Sequence, residues 1–141
     1  MENNLGLENT WMPHIKAIQT PLGELHGRDA VYLDQVHMNY AKKELVLKGE
    51  INGGLASEAV DDFVPYELIF TGIYYFNMIE LDVALDMPEQ KYTQGSSFDE
   101  LTDTPLLATI ASARGKNLKH FLLKTYDDVL EIACRDYKMT I

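Results

Sequence analysis

A mainly β fold is predicted for this 141-residue chain: an antiparallel barrel or sandwich of about seven or eight strands with one short helix near 97–114, the alternative being α+β. Three observations carry the prediction. Residues 30–51 hold two segments of period-two alternation joined by a short link, residues 120–141 hold a second such pair, and no βαβ rhythm appears anywhere.

Along the chain, Trp11 to Gln19 is followed by Thr20-Pro21-Leu22-Gly23, which suits a type I turn and a first hairpin, since proline presets φ and glycine relieves the exit. From Ala30 to Tyr40, Tyr32, Val36, Met38 and Tyr40 share one face, interrupted by Asp34. Ala41-Lys42-Lys43 leads into Leu45, Leu47 and Ile51, opposite Glu44, Lys48 and Glu50, so the two segments form a hairpin. Gly53-Gly54 and Glu58 to Asp62 read as a loop with one helical turn. Tyr66 to Phe76 is apolar on both faces and reads as a central strand covered on both sides, with Gly72 marking a bulge or bend. Met78 to Leu85 reads as another strand, and Gln90 to Ser96 as a polar loop.

Two helix-start signals follow. Ser97-Phe98-Asp99-Glu100 fits a capping box, and Thr104-Pro105 places a cap before a proline at the first helical position. Arg114-Gly115 supplies a basic last turn and a C′ glycine. These signals predict a broken or short helix between Ser97 and Arg114, with Leu106 to Ile110 as an alternative strand. The closing hairpin runs from His120 to Tyr126, turns at Asp127-Asp128 and returns from Val129, with Leu130, Ile132 and Cys134 on one face.

A chain of this length fits a single domain over 1–141, able to bury about 68–70% of its unfolded surface. No linker or repeat divides it. The start Met-Glu-Asn-Asn-Leu is polar where a secretory signal would be basic and then apolar, and no run of 18 or more apolar residues occurs, which predicts a cytoplasmic protein with no membrane association. The single cysteine, Cys134, sits on a strand face with Leu130 and Ile132 and reads as an inert buried thiol.

Charge distribution is the most informative functional signal. Of the net charge of −10, all falls between Gly54 and Ala113, where eleven acids face one base, Lys91. Such a field excludes nucleic acid and anionic membrane as direct partners and attracts a basic protein. Tyr74, Tyr75 and Phe76 precede Glu80, Asp82, Asp86 and Glu89. Tyr74 and Phe76 read as core if Gly72 leaves the register unshifted, which leaves Tyr75 with the four acids as a partner-binding surface, an aromatic anchor beside an acidic rim.

No phosphate-binding glycine loop, nucleophile elbow, zinc-binding helix motif or paired cysteines occur. The four histidines, His14, His26, His37 and His120, are scattered, and none has a histidine, cysteine or carboxylate partner on a shared strand face that would make a convincing site. Asp61-Asp62 and Asp127-Asp128 read as a loop and a turn. The sequence therefore assigns no catalytic residue, metal ligand or cofactor.

The stretch Thr125-Tyr126-Asp127-Asp128-Val129-Leu130-Glu131-Ile132-Ala133-Cys134-Arg135-Asp136-Tyr137 resembles the closing hairpin of small uncharacterised bacterial β-rich proteins of the toxin-immunity type. That resemblance implies binding without catalysis and carries over no site. Three function classes follow: a small acidic binding protein of immunity or accessory type for a basic partner, a ligand-binding or enzymatic β-barrel with a pocket near Tyr66 and Tyr74, and a homo-oligomeric structural subunit.

If the acids between Gly54 and Ala113 share a surface, their repulsion raises several carboxyl pKa values, so the folded state binds protons more readily than the unfolded chain. Stability then increases as pH falls from neutral, and moderate salt stabilises at neutral pH. Thermal melts at pH 7.5 and about 5.5, at low and moderate salt, test this. A melting temperature that is flat or falls on acidification, with no gain from salt, disproves it.

Overall fold

The computed structural model describes residues 14–87 and 95–141. Its strands are β1 His14–Ala17, β2 Val31–Asn39, β3 Glu44–Asn52, β4 Phe63–Thr71, β5 Tyr75–Glu80, β6 Phe98–Thr102, β7 Lys119–Lys124, β8 Asp128–Cys134 and β9 Asp136–Thr140. Two α-helices, α1 Leu81–Leu85 and α2 Pro105–Arg114, and a 3₁₀ turn at Gly53–Leu55 complete the described elements. All strand pairs are antiparallel, in one sheet of order β1-β6-β7-β8-β5 and another of order β2-β3-β4-β9. The fold is mainly β, as the alternation predicts. Each sheet keeps two edge strands, so the barrel alternative gives way to a sandwich.

The β2–β3 hairpin forms where predicted, with one change of face. A bulge between Leu33 and Gln35 makes Asp34 the extra residue, so Val31 and Leu33 pack on the core before it, and Val36 and Met38 pair with Leu47 and Leu45 after it. Tyr32 is thereby turned to the other face. On β3, Leu45, Leu47 and Ile51 are fully buried while Lys48 and Glu50 are exposed, the alternation of a sheet with one wet face.

Tyr66 to Phe76 is two strands, not one. At Gly72 (φ +67°) the chain leaves β4 in one sheet and enters β5 in the other. Arg135 makes the matching corner between β8 and β9, and its N–H donates to the carbonyls of Thr71 (2.9 Å) and Gly72 (3.2 Å). A two-stranded ribbon, β4–β5 against β8–β9, therefore folds over and supplies strands to both sheets. In the corner between the two strands Ile73 takes the buried position. Phe76 still packs against the core, whereas Tyr74, predicted to share that face, is 45% exposed.

The interior is centred on Phe70, Phe98, Phe121 and Tyr137, whose ring centroids lie 5.0–6.4 Å apart in edge-on and tilted contacts. Such pairs contribute roughly 0.5–1.5 kcal/mol each beyond area burial. Cys134 lies in the same cluster, fully buried, and burial pushes its thiol up to about 12, which makes it inert as the sequence predicts.

Three predicted elements fall differently. Residues 98–102 form β6 and no helix, because Phe98 enters the core and the strand pairs with β1 on one side and β7 on the other; the Ser97 hydroxyl donates to the Gly27 carbonyl (3.0 Å) instead of capping. The helix keeps only its second start signal, Thr104, whose hydroxyl accepts the Leu107 N–H, and closes at Gly115 (φ +65°) as predicted. The strand predicted over Met78 to Leu85 ends at Glu80, which caps α1. The Thr20–Gly23 turn is present, closed by reciprocal backbone bonds, but β1 before it pairs with β6 and makes no local hairpin. The predicted loop over 90–96 falls mostly outside the described residues. Among those described, no helix is long and apolar enough to cross a membrane.

A methyl group on Gly72 would meet the Arg135 Cβ at 2.8 Å, on a backbone that L-residues adopt at a cost of about 1–2 kcal/mol. Gly72→Ala is expected to lose about 1–3 kcal/mol in urea unfolding with the slope unchanged. An unaltered midpoint would show that the corner relaxes freely.

Candidate functional site

At one end of the sandwich the Thr125–Asp128 turn, the segment before β2, the start of β4 and the end of β5 meet. The Tyr126 N–H donates to the Val31 carbonyl and the Leu81 N–H to the Asp127 carbonyl, both at 2.8 Å, which pins the turn between the sheets. The predicted Asp127-Asp128 turn is a longer loop. The Thr125 N–H donates to the Asp128 carbonyl, and the Thr125 hydroxyl accepts the Asp128 N–H, leaving Tyr126 at the tip.

Three aromatic rings surface here. Tyr126, 40% exposed, stacks on Tyr32 (5.3 Å, 20°), and Phe63, 50% exposed, meets Tyr32 edge-on at 5.9 Å. Around them stand Asp29, Asp62, Glu80, Asp82, Asp127 and Asp128. Burial, then the neighbouring Asp127 and Glu80, raise the Asp128 carboxyl above its ordinary value. Partial desolvation and the charges of Asp29 and Asp127 raise the Tyr32 hydroxyl.

The predicted partner-binding residues divide. Glu80 and Asp82 belong to this end: the Glu80 carboxylate accepts the Val83 N–H (2.9 Å) as cap of α1, and Asp82 sits in its first turn. Asp86 closes the same short helix and is exposed. Tyr75 lies at the far end of β5, opposite Ala133 and half-buried, so the chain separates it from Glu80 by roughly 17 Å of strand. Glu89 lies outside the described residues. Sequence reasoning missed Tyr32, Phe63 and Tyr126 as anchors because they come from three distant segments; the detectable signal was an aromatic residue beside acids in each of Asp61-Asp62-Phe63 and Tyr126-Asp127-Asp128.

A second polar group lies beneath α2, on the outer face of the five-stranded sheet. The Thr104 hydroxyl is 2.9 Å from His120 Nδ1, and His120 Nε2 is 2.7 Å from a Glu131 carboxylate oxygen, all three side chains being buried. The carboxylate accepts, so Nε2 carries hydrogen, and the Thr104 hydroxyl, which can donate or accept, pairs with Nδ1. The order hydroxyl, imidazole, carboxylate is that of a nucleophile relay, and Thr104 borders an open hollow of about 570 Å³ with Asp103, Leu107, Lys116 and Asn117. Yet the hydroxyl oxygen also accepts the Leu107 N–H (3.2 Å), so the group latches the start of α2 to the sheet. His120 does have a carboxylate partner, across the hairpin and not along its own strand. Nearby, Asp99 is fully buried: one carboxylate oxygen takes the Ser96 N–H and hydroxyl, at 3.0 and 2.7 Å, and among the described residues no hydrogen bond reaches the other.

Tyr66 and Tyr74 form no common pocket. Tyr66 is buried between the sheets with its hydroxyl donating to the Tyr32 carbonyl (3.0 Å), and burial pushes that hydroxyl far up, while Tyr74 faces outward. Among the described residues no group of three or more histidine, cysteine or acidic side chains is arranged to hold a metal ion. No known protein-family model matches the chain, and no curated protein is similar to it.

Because the Asp128 carboxyl is raised in the fold, its charge costs stability at neutral pH, and the cost disappears as pH falls through the raised value. Asp128→Asn is expected to increase the melting temperature at pH 7 by about 1–2 °C, with the gain vanishing near pH 4. A difference that is independent of pH, or a loss at pH 7, shows that burial and the neighbouring carboxylates do not raise this group in the fold.

Proposed function

We propose that this protein is a small acidic binding protein of the immunity or accessory type that takes a basic protein partner on the end face built from Tyr32, Phe63 and Tyr126. The observation that carries the reading is the conjunction of exposed, mutually stacked rings with a rim of carboxylates, on a chain whose whole net charge falls in one segment. Rigid rings supply contact area at low entropic cost, and the rim supplies steering and selects against acidic surfaces. Asp82 and Asp127 on the rim reach the solvent, so their contribution is long-range attraction more than tight pairing. The same field disfavours nucleic acid and anionic membrane.

The test is binding to the basic protein recovered from the source cell. Affinity is expected to drop by about tenfold or more between 0.05 and 0.5 M salt. The double variant Asp82→Lys with Asp127→Lys is expected to abolish binding, whereas Glu44→Lys with Glu67→Lys, an equal charge change on the other sheet, leaves most of it. Salt-independent affinity, or equal loss from both double variants, rejects this face as the binding surface.

A further inference from the structure

We propose that the acidic end face is a seat for arginine, now occupied by the protein's own Arg28, which a partner's arginine displaces. This rests on the binding function proposed above and specifies the chemistry of the partner. Arg28 precedes β2, and its Nε donates to the Tyr126 carbonyl at 3.0 Å while Nη1 donates to an Asp82 carboxylate oxygen at 3.3 Å. Its guanidinium carbon lies 5.3 Å from the centroid of the Tyr126 ring, which is itself stacked on Tyr32. A ring face, a carbonyl and a carboxylate are thus arranged around one planar, delocalised cation. That combination favours guanidinium over ammonium, because the fork meets two acceptors while its plane rests on the ring, and a lysine ammonium is a compact, strongly hydrated charge with no such plane.

Two features make Arg28 a removable occupant. Its side chain is 45% exposed and that of Asp82 is 68% exposed, so the pair is screened by water and weakly held. The end face also holds more carboxylates than one guanidinium satisfies: Asp29 and Asp127 act on Tyr32, against which Tyr126 stacks, and Asp127 and Glu80 stand near Asp128, while Arg28 bonds only Asp82 among them. A second cation arriving here meets attraction from all of them. Arg28 competes with it for Asp82 and Tyr126, so removing Arg28 strengthens binding.

The experiment is calorimetric titration of the intact protein with two nonapeptides of equal charge, one arginine-rich and one lysine-rich. The arginine peptide is expected to bind more tightly. Arg28→Ala is expected to strengthen it by about two- to fivefold, the worth of one exposed cation–ring contact. Lys42→Ala, which changes net charge equally but lies in the exposed turn after β2, at the strand's opposite end, is expected to have a smaller effect. Arg28→Lys keeps the charge and is expected to retain part of the gain, and Tyr126→Leu to erase the preference for arginine. Equal affinity for the two peptides, or an Arg28→Ala effect no larger than that of Lys42→Ala, overturns the arginine seat while leaving a general acidic binding face in place. Absence of binding by either peptide overturns both. Thermal melts of each variant confirm that the fold is retained.

Discussion

The architecture depends on one bent ribbon. Because β4–β5 and β8–β9 are paired along their length yet divided between two sheets, the two layers cannot slide independently; the corner at Gly72 and Arg135 fixes both their separation and which faces meet. Phe70 and Tyr137 reach the core from the β4–β9 side of the bend, while Phe121 and Phe98 reach it from the sheet to which β5 and β8 belong. The aromatic cluster is a consequence of that geometry. A left-handed glycine is needed where the ribbon turns, since a β-carbon there would collide with the backbone-proximal part of Arg135.

The two sheets have different outer surroundings. The sheet of β2, β3, β4 and β9 shows water a charged face, seen in Lys48 paired with Glu67. The other is covered on both faces: Leu101, Leu122 and Val129 pack with Leu81 and Ala84 of α1, and β8 is buried along nearly its whole length. Covering a sheet twice forces a cost on any polar residue pointing outward from it, and Thr104, His120 and Glu131 offset that cost by bonding one another. Their hydrogen bonds also position α2, of which only Ile110 is buried. The polar bonds of this layer join helix to sheet, whereas the exposed stacked rings and carboxylates lie at the end of the sandwich.

That end collects carboxylates because loops converge there. Asp127 and Asp128 sit on the tip of one hairpin, Glu80 and Asp82 on the strand-to-helix junction that pairs beside it, and Asp29 on the entry to β2. Loops carry charge without burying it, so acidity accumulates where chain reversals meet. The stacked rings between them are stabilised by one another and by the Arg28 guanidinium, which keeps large apolar surfaces ordered at the water interface.

Much of this was legible in the sequence, and the remainder had a physical reason for being hidden. Period-two alternation specified the β class, the β2–β3 hairpin and the buried face of Leu130, Ile132 and Cys134, while the Thr104-Pro105 and Arg114-Gly115 cap signals specified the part of the predicted 97–114 helix that forms, Pro105–Arg114, because each is decided by neighbours a few residues away. The concentrated negative charge was equally plain. Tertiary structure alone decided what depends on distant partners. Ser97 to Glu100 has the local pattern of a helix cap, yet two flanking strands offered its backbone better hydrogen bonds and the core took Phe98. Gly72 was recognisable as a bend, but in the corner between β4 and β5 it is Ile73 that turns inward and Tyr74 that turns outward, while Phe76 keeps its core face, and only the crossing between the sheets decided this. The Thr125 hydroxyl lengthened the last turn and set the register that brings Glu131 to His120. The rings of Tyr32, Phe63 and Tyr126 come together because three chain reversals end at the same pole of the sandwich, a convergence that no local window of sequence contains.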